Sequence, residues 1–86
     1  MKINKEIQDE IIGYVLENHI SSFTKDSIPK DESLVELDVI DSFGVVELVD
    51  YLEKNWSITI KDFEITKDKM GSINKMVLLV SSKLNR

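Results

Sequence analysis

Apolar side chains recur at helical spacing in three segments of the chain, residues 3–20, 42–55 and 72–84. In the first segment they are Ile3, Ile7, Ile11, Ile12, Val15, Leu16 and Ile20. In the third they are Ile73, Met76, Val77, Val80 and Leu84, with Leu78 and Leu79 widening the stripe. Polar residues occupy most of the other positions, so each segment is predicted to be an amphipathic helix that turns its apolar face to a core.

The middle segment carries two different faces behind a helix-start signal. Asp41 is a good N-cap, because its carboxylate can accept hydrogen bonds from the backbone N–H groups of the first turn. The face predicted to enter the core consists of Val45, Leu48, Val49, Leu52 and Trp56. A neighbouring face mixes apolar and acidic side chains, namely Phe43, Val46, Glu47 and Asp50. Mixed faces of this kind are common at non-obligate protein interfaces.

The connection between the first two helices is long and irregular. Residues 21–40 lack sustained periodicity and are interrupted by Ser and Pro, which predicts a loop with a short helical turn near residues 31–36. Its apolar anchors to the core are predicted to be Phe23, Ile28, Leu34, Val35 and Leu37. A loop of this length in a small domain usually has a function or an elaborate packing role.

The second connection, residues 57–71, is predicted to run extended and to be pinned to the core by Ile58 and Ile60. Thr66 is predicted to cap a short helical turn, and Ser72 to cap the last helix. A strand here would have no partner, since no other segment alternates. The sequence therefore predicts an all-α fold with three main helices, one short helix and a long loop between the first two.

The size and composition favour a small module over an enzyme with a deep cleft. The 86 residues suffice for one domain, expected to span residues 1–86, and 42% apolar residues can form its core. Cysteine is absent, so no disulfide or thiolate metal site is expected. No signal peptide is visible, and the longest apolar run, residues 76–80, is far too short to span a membrane. We expect a soluble, cytoplasmic monomer.

The acidic residues are concentrated in one block. The net charge is −5, and eight acids lie between Asp31 and Glu53 without any Lys or Arg. The rest of the chain carries eight acids and eleven bases, a balance of +3. This argues against nucleic acid as a partner, because phosphate binding needs a basic surface. It favours basic patches on partner proteins, and the alternative is a solvated helix face.

The candidates for catalysis are weak. His19 is the single histidine, and a Ser-His-Asp triad would need it beside Ser42, which no spacing indicates. A histidine near a helix C-terminus more often interacts with the helix dipole or lies on the surface. The glycines at 13, 44 and 71 form no phosphate loop, and the acid-rich stretch lacks the ligand order of a calcium loop. A hydrolytic enzyme is therefore the least favoured class, and neither catalytic nor metal-binding residues are expected.

Ser42 directly follows the acidic cap, so its hydroxyl is predicted to project at an exposed helix N-terminus. An anion attached there would meet unpaired backbone N–H groups and the positive end of the helix dipole. Taken alone, Asp41-Ser42 before an apolar run indicates only a helix start.

The wider pattern resembles the acyl and peptidyl carrier proteins. Residues 34–49 (LVELDVIDSFGVVELV) are similar to the start of the second helix in that family, where an Asp-Ser-Leu or similar tripeptide holds the modified serine. Residues 58–66 and 70–73 are similar to the isoleucine-bearing loop, short third helix and fourth helix that follow. Phe43 replaces the commoner Leu, and Asp38 stands where many carriers have Gly, a position that favours positive φ.

The resemblance implies a small four-helix carrier bundle that carries 4′-phosphopantetheine, derived from coenzyme A, on Ser42. A phosphopantetheinyl transferase using Mg²⁺ would modify it, an acyl- or aminoacyl-activating ligase would load the thiol, and a synthase or transferase would take the cargo. We expect partners to dock on Asp41, Phe43, Val46, Glu47 and Asp50. Two alternatives remain: Phe43 and Val46 pack under the 21–40 loop, or the chain is an unmodified helical interaction module. The cargo stays open, and a specialised biosynthetic pathway is favoured, because the motif departs from the sequence style of housekeeping fatty-acid carriers.

Overall fold

The described part of the chain, residues 2–18 and 23–84 of a computed structural model, consists of helices and the loops that connect them. The helices are α1, Lys2–Asn18; α2, Ser42–Trp56; a 3₁₀ helix, Asp62–Glu64; α3, Lys67–Met70; and α4, Ile73–Leu84. No strand occurs among these residues, so the predicted all-α fold of three main helices and one short helix is confirmed. The predicted side-chain contacts of Ile3 and Ile20 and the position of His19 lie outside the described residues.

The core forms where α1 packs along α4, with α2 and the long loop closing over them. The α1 contribution is the predicted stripe, with Ile7, Ile11 and Val15 fully buried. From α2 come Leu48, Val49 and Leu52, while Val45 and Trp56 are half-buried against the same cluster. From α4 come Ile73, Met76, Val77, Leu79 and Val80. Helical periodicity thus predicted most of the buried face of each main helix.

Two apolar residues of α4 are not buried as predicted. Leu78 is 64% exposed and Leu84 38% exposed. At 3.6 residues per turn, Leu78 lies roughly 150° around the helix from the centre of the buried face. Leu84 is the last residue of α4, where little of the fold is left to cover it. The stripe is therefore narrower than its composition indicated.

The cap residues predicted from the sequence are confirmed. The Asp41 carboxylate accepts a hydrogen bond from the Gly44 N–H at 2.8 Å. Thr66 Oγ1 accepts from the Lys69 N–H, and Ser72 Oγ from the Lys75 N–H. Since each cap fixes where a helix begins, α2, α3 and α4 start at the expected residues.

The long loop is held to the core by both side chains and backbone. Ile28 and Leu34 are buried as predicted, and Val39 and Ile40 are buried as well. Val35, a predicted anchor, is 43% exposed. The helical turn forms at residues 34–38, slightly later than predicted, and this register places Leu34 inward and Val35 outward.

Hydrogen bonds then tie the loop to α4 and, through it, to α1. The Leu34 N–H donates to the Gly71 carbonyl, and the Asn74 N–H to the Lys30 carbonyl. The Asn74 side chain donates to Asp31 at 2.7 Å and accepts from Gln8 at 3.1 Å. Lys67 of α3 also pairs with Glu36 of the loop. The segment leading into Ser42 is therefore fixed by the helices around it.

A 3₁₀ helix, which the sequence analysis did not predict, ends the extended connection after Ile60. Glu64 accepts from the Lys61 N–H and pairs with Lys83 of α4 at 2.9 Å, with both side chains largely buried. The Lys61 backbone N–H, followed by Lys83, lowers the pKa of Glu64 below its ordinary value. Ile60 is buried, and its N–H donates to the Glu53 carboxylate. This connection is thus attached at both ends.

Asp38 takes a positive φ of 59°, the conformation that the sequence comparison with glycine-bearing carriers indicated. A β-branched residue in this region is strained by about 1–2 kcal/mol, whereas Gly is not. We therefore expect Asp38→Val to lower the free energy of unfolding by about 1–2 kcal/mol. Asp38→Gly, which removes the same charge, is expected to leave it nearly unchanged. Urea denaturation measures both; equal losses would show that the side chain of Asp38, not its backbone, matters.

Candidate functional site

Ser42 is the first residue of α2, and its side chain is exposed. Because Asp41 provides the cap, the Ser42 hydroxyl makes no hydrogen bond with the described residues. The backbone N–H groups of Ser42 and Phe43 likewise have no partner in the described part of the chain. Ser42 thus presents an accessible hydroxyl at the positive end of a 15-residue helix, where another molecule can reach it.

The environment of Ser42 fits a phosphodiester in one respect and opposes it in another. Two unpaired N–H groups and the helix dipole favour an anion at the hydroxyl. The carboxylates of Asp38 and Asp41, which line the same groove as Ser42, repel it. The net electrostatic stabilisation of a phosphodiester on Ser42 is therefore small. The main contribution of this position is that the hydroxyl is accessible.

Two concave spaces adjoin this position. An open groove of 470 Å³ runs beside Ser42, lined by Asn18, Val35, Asp38, Val39, Ile40 and Asp41. A mainly apolar cavity of 270 Å³ lies between the loop and the helices, with Val45, Leu48 and Met70 among its walls. Val35 and Ile40 line both spaces, so the cavity is adjacent to the groove. This adjacency explains why a loop valine that was predicted to be an anchor is partly exposed.

The mixed face of α2 is largely exposed. Phe43 is 70% exposed and Val46 60% exposed, and Glu47 and Asp50 are exposed beside them. We call these four residues the α2 surface. The alternative that Phe43 and Val46 pack under the long loop is wrong, because burial of that kind would leave neither side chain exposed. Large exposed apolar side chains beside charges are typical of a partner surface.

An aromatic contact that the sequence analysis missed joins α1 to α2 next to this surface. The rings of Tyr14 and Tyr51 stack with centroids 4.2 Å apart. The Tyr51 hydroxyl donates to the Glu10 carboxylate at 2.8 Å. Burial, followed by this hydrogen bond, raises the pKa of Tyr51 to about 12. The raised pKa means that the Tyr51 hydroxyl stays protonated, and can donate to Glu10, further into the alkaline range than an ordinary tyrosine.

The electrostatic field of the α2 surface reaches α1. Burial raises the pKa of Tyr14, and the charges of Glu47 and Asp50 raise it further. Asp50 pairs with Lys54 at 3.0 Å, whereas Glu47 forms no ion pair with any described residue. Of these two carboxylates, Asp50 is paired with a lysine, and Glu47 has no ion-pair partner among the residues that the structure describes.

The described residues offer little for other chemistry. Among them, no group of three or more His, Asp or Glu side chains is arranged to hold a metal ion. No helix in the described ranges is long and apolar enough to cross a membrane.

The small helical bundle, with its long ordered loop and an accessible serine at the start of α2, is consistent with the carrier class. No protein-family model matches the chain. It is, however, similar to the D-alanyl carrier protein of Streptococcus mutans serotype c, with 38% identity over 47 residues. The match covers 55% of this chain and spans three fifths (60%) of that relative's length. It supports the acyl and peptidyl carrier family that the sequence pattern indicated.

Proposed function

We propose that this protein tethers acyl or aminoacyl groups as thioesters on a 4′-phosphopantetheine arm at Ser42 and presents them to partner enzymes. The observation that carries the proposal is the accessible Ser42 hydroxyl at the start of α2, which has no hydrogen-bond partner among the described residues, in a chain similar to a carrier protein. That relative is named for a D-alanyl cargo, which favours a small aminoacyl group among the possible cargoes.

The chain supplies an attachment point and a docking surface, and the chemistry belongs to its partners. Cysteine is absent from the sequence, so the thiol that holds the cargo comes with the arm. In the attachment step, the Ser42 oxygen forms a bond to the β-phosphorus of coenzyme A, and the bond to adenosine 3′,5′-bisphosphate breaks. The hydroxyl proton passes to a base of the transferase. We expect a ligase and a downstream synthase or transferase to use the same surface.

Trypsin digestion offers a direct test, because the acidic block contains no cleavage site. Incubation with coenzyme A and a broad-specificity phosphopantetheinyl transferase should add the mass of one phosphopantetheine group to the intact chain. Cleavage after Lys30 and Lys54 should place that mass on one peptide, whose two serines are Ser33 and Ser42. Fragmentation of the peptide should assign it to Ser42. A gain on Ser33 would refute the site, and no gain with several transferases would favour the unmodified interaction module.

Charge reversal tests the α2 surface as the docking site. Glu47→Lys/Asp50→Lys is expected to lower kcat/KM of the transferase reaction about tenfold, because both exposed acids would then repel a basic partner. The fold should be retained, since neither side chain enters the core. Modification rates and thermal unfolding measure the two effects separately.

A variant with the same change in net charge provides the control. Glu6→Lys/Asp68→Lys replaces two exposed acids outside the acidic block, one in α1 and one in α3. Its modification rate should stay close to that of the unaltered protein. If the two double variants slow modification equally, total charge matters and the α2 surface has no special role.

A further inference from the structure

The α2 surface forms one side of a groove that continues onto α1. The groove has a volume of 790 Å³. It is lined by Tyr14, Phe43, Val46, Glu47, Asp50, Tyr51, Lys54 and Asn55. Apart from Tyr14, every lining residue belongs to α2, so Tyr14 is the point at which α1 enters this surface.

The groove is lined by both aromatic and carboxylate side chains. Glu47 has no ion-pair partner in the described part of the chain, and Asp50 is paired only with the exposed Lys54. A purely apolar partner would bury Glu47 without compensation, which is costly. A guanidinium or ammonium group would satisfy the carboxylate and also interact favourably with a tyrosine ring. The charge and the chemistry of the groove therefore complement a cation.

Lys54 is itself a cation at the edge of this groove. Its ammonium lies 3.0 Å from Asp50, with the two side chains 77% and 61% exposed. An exposed pair of this kind contributes little stability and is readily exchanged. A cation of a partner would have to displace Lys54 to reach Asp50.

We propose that the groove between α1 and α2 binds a basic side chain of the enzyme that modifies Ser42, with Tyr14 extending the docking surface onto α1 and Lys54 competing for Asp50. This rests on the proposed function, since it concerns the partner that must reach Ser42. Because Lys54 competes for Asp50, the affinity of the groove for the partner's cation is weaker than Glu47 and Asp50 alone would give. The competition also predicts that removal of the positive charge of Lys54 strengthens docking.

Lys54→Gln is the decisive variant, and Lys5→Gln is its matched control. Lys5 also forms an exposed i,i+4 pair with an aspartate, Asp9, and loss of either lysine changes the net charge equally. Lys5 is absent from the groove and lies on α1 on the side opposite Tyr14. With the transferase and coenzyme A, Lys54→Gln should lower KM for the carrier about two- to fourfold without changing kcat. Lys5→Gln should leave both parameters unchanged.

Substitutions at Tyr14 test the part played by α1. Tyr14→Phe retains the ring and its stacking on Tyr51, so KM should stay close to the unaltered value. Tyr14→Leu removes the ring and should raise KM about three- to fivefold at constant kcat, the size expected for loss of a cation–π contact. Thermal unfolding of each variant, measured beforehand, sets a temperature at which all of them are folded.

The outcomes separate this inference from the proposed function. If Ser42 is modified but Lys54→Gln and Lys5→Gln have the same KM, the competition is wrong. If Tyr14→Leu leaves KM unchanged, α1 takes no part in docking. If no transferase modifies the unaltered chain, the proposed function fails and the inference falls with it.

Discussion

Ser42→Ala is expected to abolish the mass gain that coenzyme A and a phosphopantetheinyl transferase produce. The substitution removes the only atom to which the arm would be attached and leaves the rest of the docking surface in place. It should not unfold the protein, because the Ser42 hydroxyl makes no hydrogen bond with the described residues and Asp41 caps the helix independently. Alanine is also a better helix former than serine by a few tenths of a kcal/mol.

Ser33→Ala is the matched control for this variant. Ser33 lies in the same acidic block and the same tryptic peptide, and its hydroxyl accepts from the Glu36 N–H in the loop. The control should be modified as fast as the unaltered chain, while Ser42→Ala shows no gain by intact mass spectrometry. Full modification of Ser42→Ala would place the arm elsewhere and overturn the assignment. Equal failure of both variants would point to a loss of docking and not of the attachment atom.

The local signals in this sequence predicted local structure well. The starts of α2, α3 and α4 were indicated by capping side chains, and Asp41, Thr66 and Ser72 all act as caps. The physical reason is that a cap and its N–H partner are separated by three residues, so both lie in one short stretch of sequence. The positive φ of Asp38 was indicated by the resemblance to carriers that have glycine at this position.

Features that depend on distant contacts were missed. Tyr51 and Glu10 are 41 positions apart, and nothing in either segment indicates that they form a hydrogen bond. Leu78 has the same apolar character as Leu79, but only Leu79 faces neighbouring elements. The elements that pack against a helix decide which residues of a wide apolar stripe are buried. The sequence of that helix alone does not identify these elements.

The candidate site lies between these two cases. The position of Ser42 at the start of α2 and the exposed mixed face follow from the cap and from helical periodicity, and the structure agrees with both. The groove next to this face could not be predicted, because it forms only where α1 packs beside α2 and brings Tyr14 to the edge of the α2 surface. The role of Ser42 as an attachment point remains a prediction that modification experiments decide.

Leu52→Ala is expected to have the largest effect on stability. Leu52 is completely buried, on the side of α2 that faces the core. Truncation of a fully buried leucine typically costs about 2–5 kcal/mol, because transfer energy is lost and a cavity remains. Small domains often have a free energy of unfolding of about 5–15 kcal/mol, so thermal unfolding should shift by many degrees. Urea or thermal denaturation measures the change.

Val46→Ala on the same helix separates stability from docking. Val46 is 60% exposed, so its truncation should change the free energy of unfolding by less than about 0.5 kcal/mol. It should nevertheless raise the transferase KM, because it removes apolar area from the α2 surface. Leu52→Ala, assayed well below its melting temperature, should keep a nearly unaltered KM. If Val46→Ala were the more destabilising variant, or Leu52→Ala the one with the higher KM, the division of α2 into a core face and a partner face would be wrong.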